Sequence, residues 1–495
     1  MARADMTLAD MAQNALRRDP TLPILKFDDR WFTWGQLRAL ADRVNDLLGA
    51  CGADETSAVT FIPRNHPHSI ATLLGLVAGG HTVRMVYAFQ SPEGIAANVA
   101  RLNSAIVISG ERELSEQVRD VLKENGMAAI MLKDMSADLL PGFETAHPER
   151  ATPAGPEPQI QILTSGTTGP PKQFPVNFST LAKHHVAPRL APDKEAEIYE
   201  EPPFLIFFPI GNISGIYSTL PTFLRGQRGY LMERYSLAEW RAYIQEFKPV
   251  SAGGPPASVQ MILDADIPKE ELSFVRYFHT GAAPLDPSVQ RAFEARYGIP
   301  VMLSYGATEF VGPVCAMTPQ LHAEWGDKKF ASVGRPMPGA KIRVVDPDTF
   351  EELPPGQEGL LEVISPRLEP KWIRTSDVGL VDEDGFLFLR GRADGAIMRG
   401  GFKLLPETIE RALLLHPAVS EAAVVGVPDR RLGQVPAAAI QLKPNVERPT
   451  VEELEAHLRK NVLATHIPTQ WRFVDDMPKN ASMKIDRPGV AALFA

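Results

Sequence analysis

The spacing of apolar positions changes several times along the first 150 residues. Between 30 and 50, Trp34, Leu37, Leu40, Ala41, Val44, Leu47 and Leu48 recur at helical intervals, with Thr33 placed to cap the start and Gly52 just past the end. Residues 57–62 form a short apolar run of strand length, 69–78 return to a helical pattern, and 105–108 and 129–132 are again strand-like. Strands alternating with helices predict a layered α/β domain with largely parallel strands. Residues 146–158, HPERATPAGPEPQ, are rich in proline and polar side chains and predict a linker between subdomains.

Turn signals then recur at 253–256, 336–339, 354–356 and 384–385. Strands at 341–345, 360–364 and 386–389 make the stretch 330–390 β-rich. A boundary is expected at 391–394. Beyond it the pattern predicts a helix (406–415), strands (421–427 and 437–442), a helix (451–462) and a late strand (471–474), enough for a small α+β domain.

Composition narrows the functional classes. A chain of 495 residues is too long for one ordinary core, and its 44% apolar content supports a sizeable interior. A net charge of −9 argues against nonspecific nucleic-acid binding, which needs a basic face. Two cysteines, Cys51 and Cys315, cannot build a disulfide framework or a cysteine zinc site, and both are expected to be buried thiols. The opening MARADMTLADMAQ has no apolar core of a signal peptide, and no apolar run approaches the roughly 20 residues of a membrane span. A cytoplasmic protein without a membrane span is the expectation.

The most informative stretch is Ile162-Leu-Thr-Ser-Gly-Thr-Thr-Gly-Pro-Pro-Lys172. Glycines let a backbone approach an anion, hydroxyls and N–H groups donate to phosphate oxygens, and lysine adds a positive charge. The spacing is not that of a Walker A loop, because two prolines separate Gly169 from Lys172. Composition alone leaves a solvated surface loop as an equal alternative. The full string, however, closely resembles the signature of the acyl-adenylate-forming superfamily, which includes acyl-CoA synthetases, adenylation domains of peptide synthetases and luciferases. Further segments resemble the same family in the same order, from about residue 30 to the C-terminus.

The resemblance implies a role for each segment. Thr164, Ser165, Gly166, Thr167, Thr168, Gly169 and Lys172 would hold the ATP phosphates. Gly281-Ala282-Ala283-Pro284 resembles the adenine-side loop. Ser304-Tyr305-Gly306-Ala-Thr308-Glu309 resembles the motif that follows it: Tyr305 would face adenine, Thr308 the α-phosphate, and Glu309 would bind Mg²⁺, which needs only one or two carboxylates beside phosphate oxygens. Thr375-Ser-Asp377-Val-Gly379 resembles the ribose-holding segment, through Asp377. Gly391-Arg392-Ala-Asp394 resembles the hinge, with Arg392 on the nucleotide and Asp394 as pivot. Arg399-Gly-Gly401-Phe-Lys403 resembles the thiol-tunnel segment, where Gly401 would leave space for a pantetheine arm. Asn480-Ala-Ser-Met-Lys484-Ile-Asp486 resembles the motif of the catalytic lysine, Lys484, although Met483 stands where the family usually has glycine.

The implied fold class is α/β: a large N-terminal domain of several subdomains (1–393, layered α/β plus the β-rich segment) that binds ATP and acid, and a small mobile α+β C-terminal domain (394–495). The implied reaction is ATP-dependent activation of a carboxylic acid to an acyl-adenylate, then transfer to a thiol, with ATP, Mg²⁺ and coenzyme A as the small-molecule partners. The acid pocket would be built near 208–215, 279–283 and 304–312, from Asn212, Gly281, Ser304 and Phe310. Asn212 stands where many acyl-CoA synthetases carry histidine and amino-acid-activating domains carry aspartate. An amide disfavours amino acids; it suits an aryl hydroxyl, or a structural role beneath a fatty-acid pocket, and these stay level. A carrier-protein thiol as acceptor, a luciferase-like oxygenase, a silent binding protein and a homodimer stay open as alternatives. No carrier domain follows Ala495, which favours free coenzyme A.

Two local patterns carry no function on this reading. Asp382-Glu-Asp-Gly385 looks like the start of a calcium loop but lacks the required glutamate and is expected to be a hairpin turn. His184-His185 has no partner cluster and is expected at the surface.

Overall fold

The computed structural model describes residues 6–54, 57–164, 172–283, 285–393, 395–399, 402–429, 432–462, 464–480 and 484–495. Ser165, Gly166, Thr167, Thr168, Gly169, Pro284, Asp394, Gly401 and Met483 lie outside the described residues. The chain forms two compact units: Met1–Pro249 with Ala307–Gly312, and Val250–Gly306 with Pro313–Ala495.

In the first unit the alternating pattern becomes a seven-stranded sheet. Its order is Ser136–Leu139, Ala128–Lys133, Ile106–Gly110, Val59–Ile62, Val83–Met85, Gln159–Thr164 and Lys172–Asn177. The five inner strands are parallel and the two edge pairings antiparallel. The inner strands are buried, as expected for strands covered by helices on their faces. Helix Trp34–Ala50 starts where the pattern places it. Thr33 accepts from the Gln36 amide and Gln36 reaches back to the Thr33 amide, a reciprocal capping box. Residues 30–33 are a strand of their own, in a second sheet ordered Phe204–Ile206, Gly229–Leu231, Pro23–Phe27 and Arg30–Thr33.

Arg84 shows how this unit is stitched. It lies on a central strand, 3% exposed, and donates to Leu102 O (2.9 Å), Pro153 O (2.9 Å), Ser104 Oγ (3.2 Å) and Gln161 Oε1 (3.2 Å). A buried cation is costly unless its donors are met, and here neutral oxygens meet them. The Gln161 contact reaches the strand that leads into the candidate phosphate loop.

The second unit contains a five-stranded sheet (Ser251–Gly253, Tyr277–Gly281, Val301–Ala307, Gly312–Ala316, Arg335–Pro336) and a four-stranded antiparallel sheet (Lys341–Val345, Gly359–Ile364, Ile373–Val381, Leu387–Arg392). The latter is the β-rich segment of the sequence. Asp382–Gly385 is the expected hairpin turn, with Asp382 Oδ1 accepting from the Asp384 and Phe386 amides. A last sheet pairs Val419–Asp429 with Gly433–Leu442, and Gln470–Val474 runs parallel to the latter. Helices Pro406–Leu414 and Val451–Arg459 contribute Ile409, Leu413, Leu454 and Leu458 to its core. Arg487 clamps this layer, donating to Glu410 Oε1 (2.9 Å), Glu407 Oε1 (3.2 Å) and Val424 O (2.6 Å).

Cys51 and Cys315 are both buried, and burial pushes both thiols up. The expectation of a surface His184-His185 pair fails for His185, which is 1% exposed. It lies in the π-helical turn Ala182–Val186, whose extra residue per turn shifts the facing of side chains away from an α-helical count. Among the described residues no helix is long and apolar enough to cross a membrane.

One pH effect follows from the first unit. His66 and His68 stack with ring centroids 4.0 Å apart. Burial first, then the neighbouring His66, lowers His68 to about 3. The unfolded imidazole takes its proton near 6.5, so stability present above that pH is lost progressively as the pH falls toward 3. Urea midpoints measured from pH 7 to pH 4 should decline, and His68→Gln should flatten the decline.

Candidate functional site

In the first unit, strands Gln159–Thr164 and Lys172–Asn177 form an antiparallel pair whose register sets Thr164 opposite Lys172. The two ends of the candidate phosphate loop are therefore backbone partners at the edge of the sheet.

Thr308–Phe310 is a single 3₁₀ turn in this unit. It leaves Glu309 exposed and Phe310 buried at 1%. The turn closes through the Val311 amide on Thr308 O at 2.9 Å, with Val311 at φ 58 and Gly312 at φ 113. A β-branched residue in the left-handed region is strained, and such strain concentrates at functional sites. Glu309 is well suited to a metal held mostly by substrate phosphates. Among the described residues no cluster of three His, Cys, Asp or Glu could hold a metal by itself.

Asn212 takes a specific structural task. It is the N-cap of helix Ile213–Leu224, its Oδ1 accepting from the Gly215 amide at 2.8 Å. Gly215 has to be glycine, because a Cβ there would lie 2.0 Å from Pro209 O. Of the readings open from sequence, the geometry shows the structural use of the amide oxygen.

In the second unit three expected nucleotide residues meet. The Tyr305 hydroxyl donates to Asp377 Oδ2 at 2.6 Å, and Arg392 Nη1 donates to Asp377 Oδ1 at 3.1 Å. Strand register sets Asp377 directly opposite Arg392. Tyr305 is 6% exposed; burial, then the Asp377 carboxylate, push its phenol far above the ordinary range, so it stays a donor. Asp377 also draws its amide onto Thr375 Oγ1 at 3.0 Å. Arg392, half exposed, is held by Ser376 Oγ at 2.5 Å. Ser376 sits inside the motif, but the sequence reading gave it no role.

The adenine-side loop begins where two strands touch. Register pairs Gly281 with Ser304, and a Cβ on Gly281 would lie 2.4 Å from Ser304 Oγ. Ala282 follows at φ 66, exposed, then Ala283, half-buried; Gly306 continues the strand that carries Tyr305. Gly281 and Ser304 belong to the second unit, while Asn212 and Phe310 belong to the first. Lys484 is exposed. Its amide donates to Asn480 Oδ1 (3.1 Å) and its carbonyl accepts from the Asn480 amide (2.7 Å), three residues before the Arg487 clamp.

Two substitutions separate holding from reading. Tyr305→Phe removes the charge-assisted hydrogen bond donated to Asp377 and should weaken binding of the expected nucleotide by about 1.5–3 kcal/mol, measured as Kd by titration with ATP. Asn212→Ala should lower unfolding stability by about 1 kcal/mol through the lost cap, and Asn212→Ser should restore most of it in the same denaturation assay.

Comparison with known proteins gives the cluster a context. Residues 12–369 match the AMP-binding enzyme family, and residues 408–484 match the AMP-binding enzyme C-terminal domain. The chain is 27% identical to a 4-coumarate–CoA ligase of Vanilla planifolia over 94% of this chain and 89% of that protein. It is equally 27% identical to a sulfoacetate–CoA ligase of Cupriavidus necator, over 97% and 96%. Its fold is similar to the crystal structure of ATP-bound MatB from Rhodopseudomonas palustris, with a TM-score of 0.81 at 21% identity, covering 99% of each chain. With one family match covering most of its length and the other falling on the segment that carries Lys484, the chain belongs to the AMP-binding enzyme family.

Proposed function

We propose that this enzyme activates a carboxylic acid with ATP, forming an acyl-adenylate and pyrophosphate, and passes the acyl group to the thiol of coenzyme A with release of AMP. The observation that carries the reading is the Tyr305–Asp377–Arg392 cluster inside a chain of the AMP-binding family. The two relatives named as CoA ligases support coenzyme A as acceptor. A carrier-protein thiol remains the second reading, because the same first half-reaction serves both.

On this proposal the acid carboxylate attacks the α-phosphorus, the P–O bond to pyrophosphate breaks, and pyrophosphate leaves. The nucleophile is already ionised, so no general base is needed. The difficulty is charge: two unit charges 4 Å apart repel by about 4 kcal/mol at an effective dielectric of 20. Lys172, at the mouth of the phosphate loop, and Lys484 are assigned to that charge, and Thr308 to the α-phosphate. Glu309 is assigned to Mg²⁺, which when bound supplies positive charge against the phosphates. Asp377 is assigned to the ribose hydroxyls, with Tyr305 and Arg392 holding its carboxylate. Gly281, Ala282 and Ala283 are assigned to the adenine side.

The second half-reaction needs a different constellation. We assign Asp394 as the pivot between an N-terminal domain of residues 1–393 and a C-terminal domain of residues 394–495, and Gly401 as the residue that leaves room for pantetheine. The gap between the two family matches, 369 to 408, contains both residues and supports that division. Alternation about a hinge would let Lys484 serve adenylation and then withdraw.

The test is pyrophosphate release across a panel of acids, with and without coenzyme A, in single turnover. Lys484→Ala should slow adenylation by about 10²–10³-fold, the effect of removing one preorganised electrostatic contact, while thioester formation from pre-made acyl-adenylate is largely spared. Equal loss in both half-reactions would sink the assignment of Lys484, and acid-dependent pyrophosphate release that never yields a CoA thioester would favour the carrier-protein reading.

A further inference from the structure

Arg189 is a half-buried arginine of the first unit whose two side-chain hydrogen bonds both go to uncharged oxygens. The chain reaches it through the short helix Phe178–Leu181, the π-helical turn Ala182–Val186 and the 3₁₀ turn Ala187–Arg189. Single π turns are frequent at functional sites. Here the turn buries the His185 ring, which meets Tyr217 edge-to-face at 5.1 Å. Arg189 donates from Nη1 to His185 O and from Nη2 to the Tyr217 hydroxyl, both at 2.6 Å, with its guanidinium 4.7 Å from the Tyr217 ring centroid.

Among the described residues no carboxylate pairs with Arg189. The charge that does act near it is of the same sign, Arg225, which is itself paired with Glu201 at 3.4 Å. A guanidinium has five N–H donors in a rigid fork suited to two anionic oxygens. Contacts to one carbonyl and one hydroxyl bring it no counter-charge from the described residues.

The location connects this cation to the acid. Tyr217 stands on the helix that Asn212 caps. His185 and Tyr217 both press on Gly312: a Cβ there would lie 3.4 Å from His185 Cε1 and 3.7 Å from Tyr217 Cδ2. Gly312 ends the short segment that begins at Thr308 and Glu309. The imidazole and the phenol therefore lie against the end of the segment assigned to the reacting groups, and Arg189 is hydrogen-bonded to both residues.

We infer that Arg189 is a specificity-determining residue that reads a second anionic group on the acid substrate. The substrate class is then a short acid with a carboxylate or sulfonate at the end away from the reacting carboxyl. This rests on the adenylation reading of the preceding section. Tyr217 and His185 would bound the space and hold the guanidinium in place, and the substrate's second charge would supply the counter-ion that the described residues do not.

The test is acid-dependent pyrophosphate release at saturating ATP, without thiol, on benzoate, 4-hydroxybenzoate, hexanoate, malonate, succinate and sulfoacetate. The wild-type enzyme should show its highest kcat/KM on one of the three dianions. Arg189→Gln should lower kcat/KM for that dianion by roughly 100-fold, mostly through KM, and leave the monoanions unchanged. Tyr217→Phe, which keeps the ring and removes the hydroxyl, should give a smaller loss confined to the dianions. A wild-type preference for a monoanionic acid overturns the inference while leaving adenylation intact. Equal losses across all acids in both variants also overturn it. Absence of pyrophosphate release with every acid overturns the adenylation reading, and this inference with it.

Discussion

The hydrogen bond from the Tyr305 phenol to Asp377 joins two sheets of the second unit at the candidate nucleotide site. Tyr305 comes from the strand Val301–Ala307 of the five-stranded sheet, and Asp377 from the strand Ile373–Val381 of the antiparallel one. At 2.6 Å, with an ionised acceptor, it belongs to the stronger class of hydrogen bond. Burial makes it stronger still and keeps the phenol protonated. Arg392 then completes the carboxylate from the neighbouring strand, and Ser376 holds Arg392 in turn.

Within each unit the backbone is shaped by close approach. Gly281 lets one strand lie against Ser304, and Gly215 lets a helix start beneath Pro209, while Gly312 is set by its backbone, at φ 113. Ala282 and Val311 hold left-handed conformations without being glycine. Each sits next to a motif residue, and the fold must supply the energy that holds it there. The outcome at Thr308–Phe310 is a turn that sends Glu309 to solvent and Phe310 into the core, so that a charged group is presented from a rigid base.

The arginines illustrate how charge is managed. Arg84 is deeply buried but satisfied by four neutral acceptors, Arg487 is matched to two glutamates, and Arg392 is matched to Asp377. Arg189 has hydrogen-bond partners but no counter-ion among the described residues. These are different solutions to one constraint, that a cation withdrawn from water needs donors met and charge balanced.

Much of this protein was legible in one dimension. Helical and strand periodicity located Trp34–Ala50, the parallel strands and the late α+β layer, because burying one face imposes a period that a single sequence displays. The motif strings singled out Tyr305, Asp377 and Arg392 through their resemblance to the acyl-adenylate-forming superfamily. Other features depended on contacts between distant positions. That Asn212 caps a helix follows from where the chain turns at Pro209. That His185 is inside follows from a π turn whose single extra residue no periodic pattern announces. That Tyr305 reaches Asp377, 72 residues away, follows from two sheets meeting. Local propensity and spacing act over a few residues and can be read along the chain. Burial, counter-ions and strain arise when segments far apart in sequence pack together, so tertiary structure decided them.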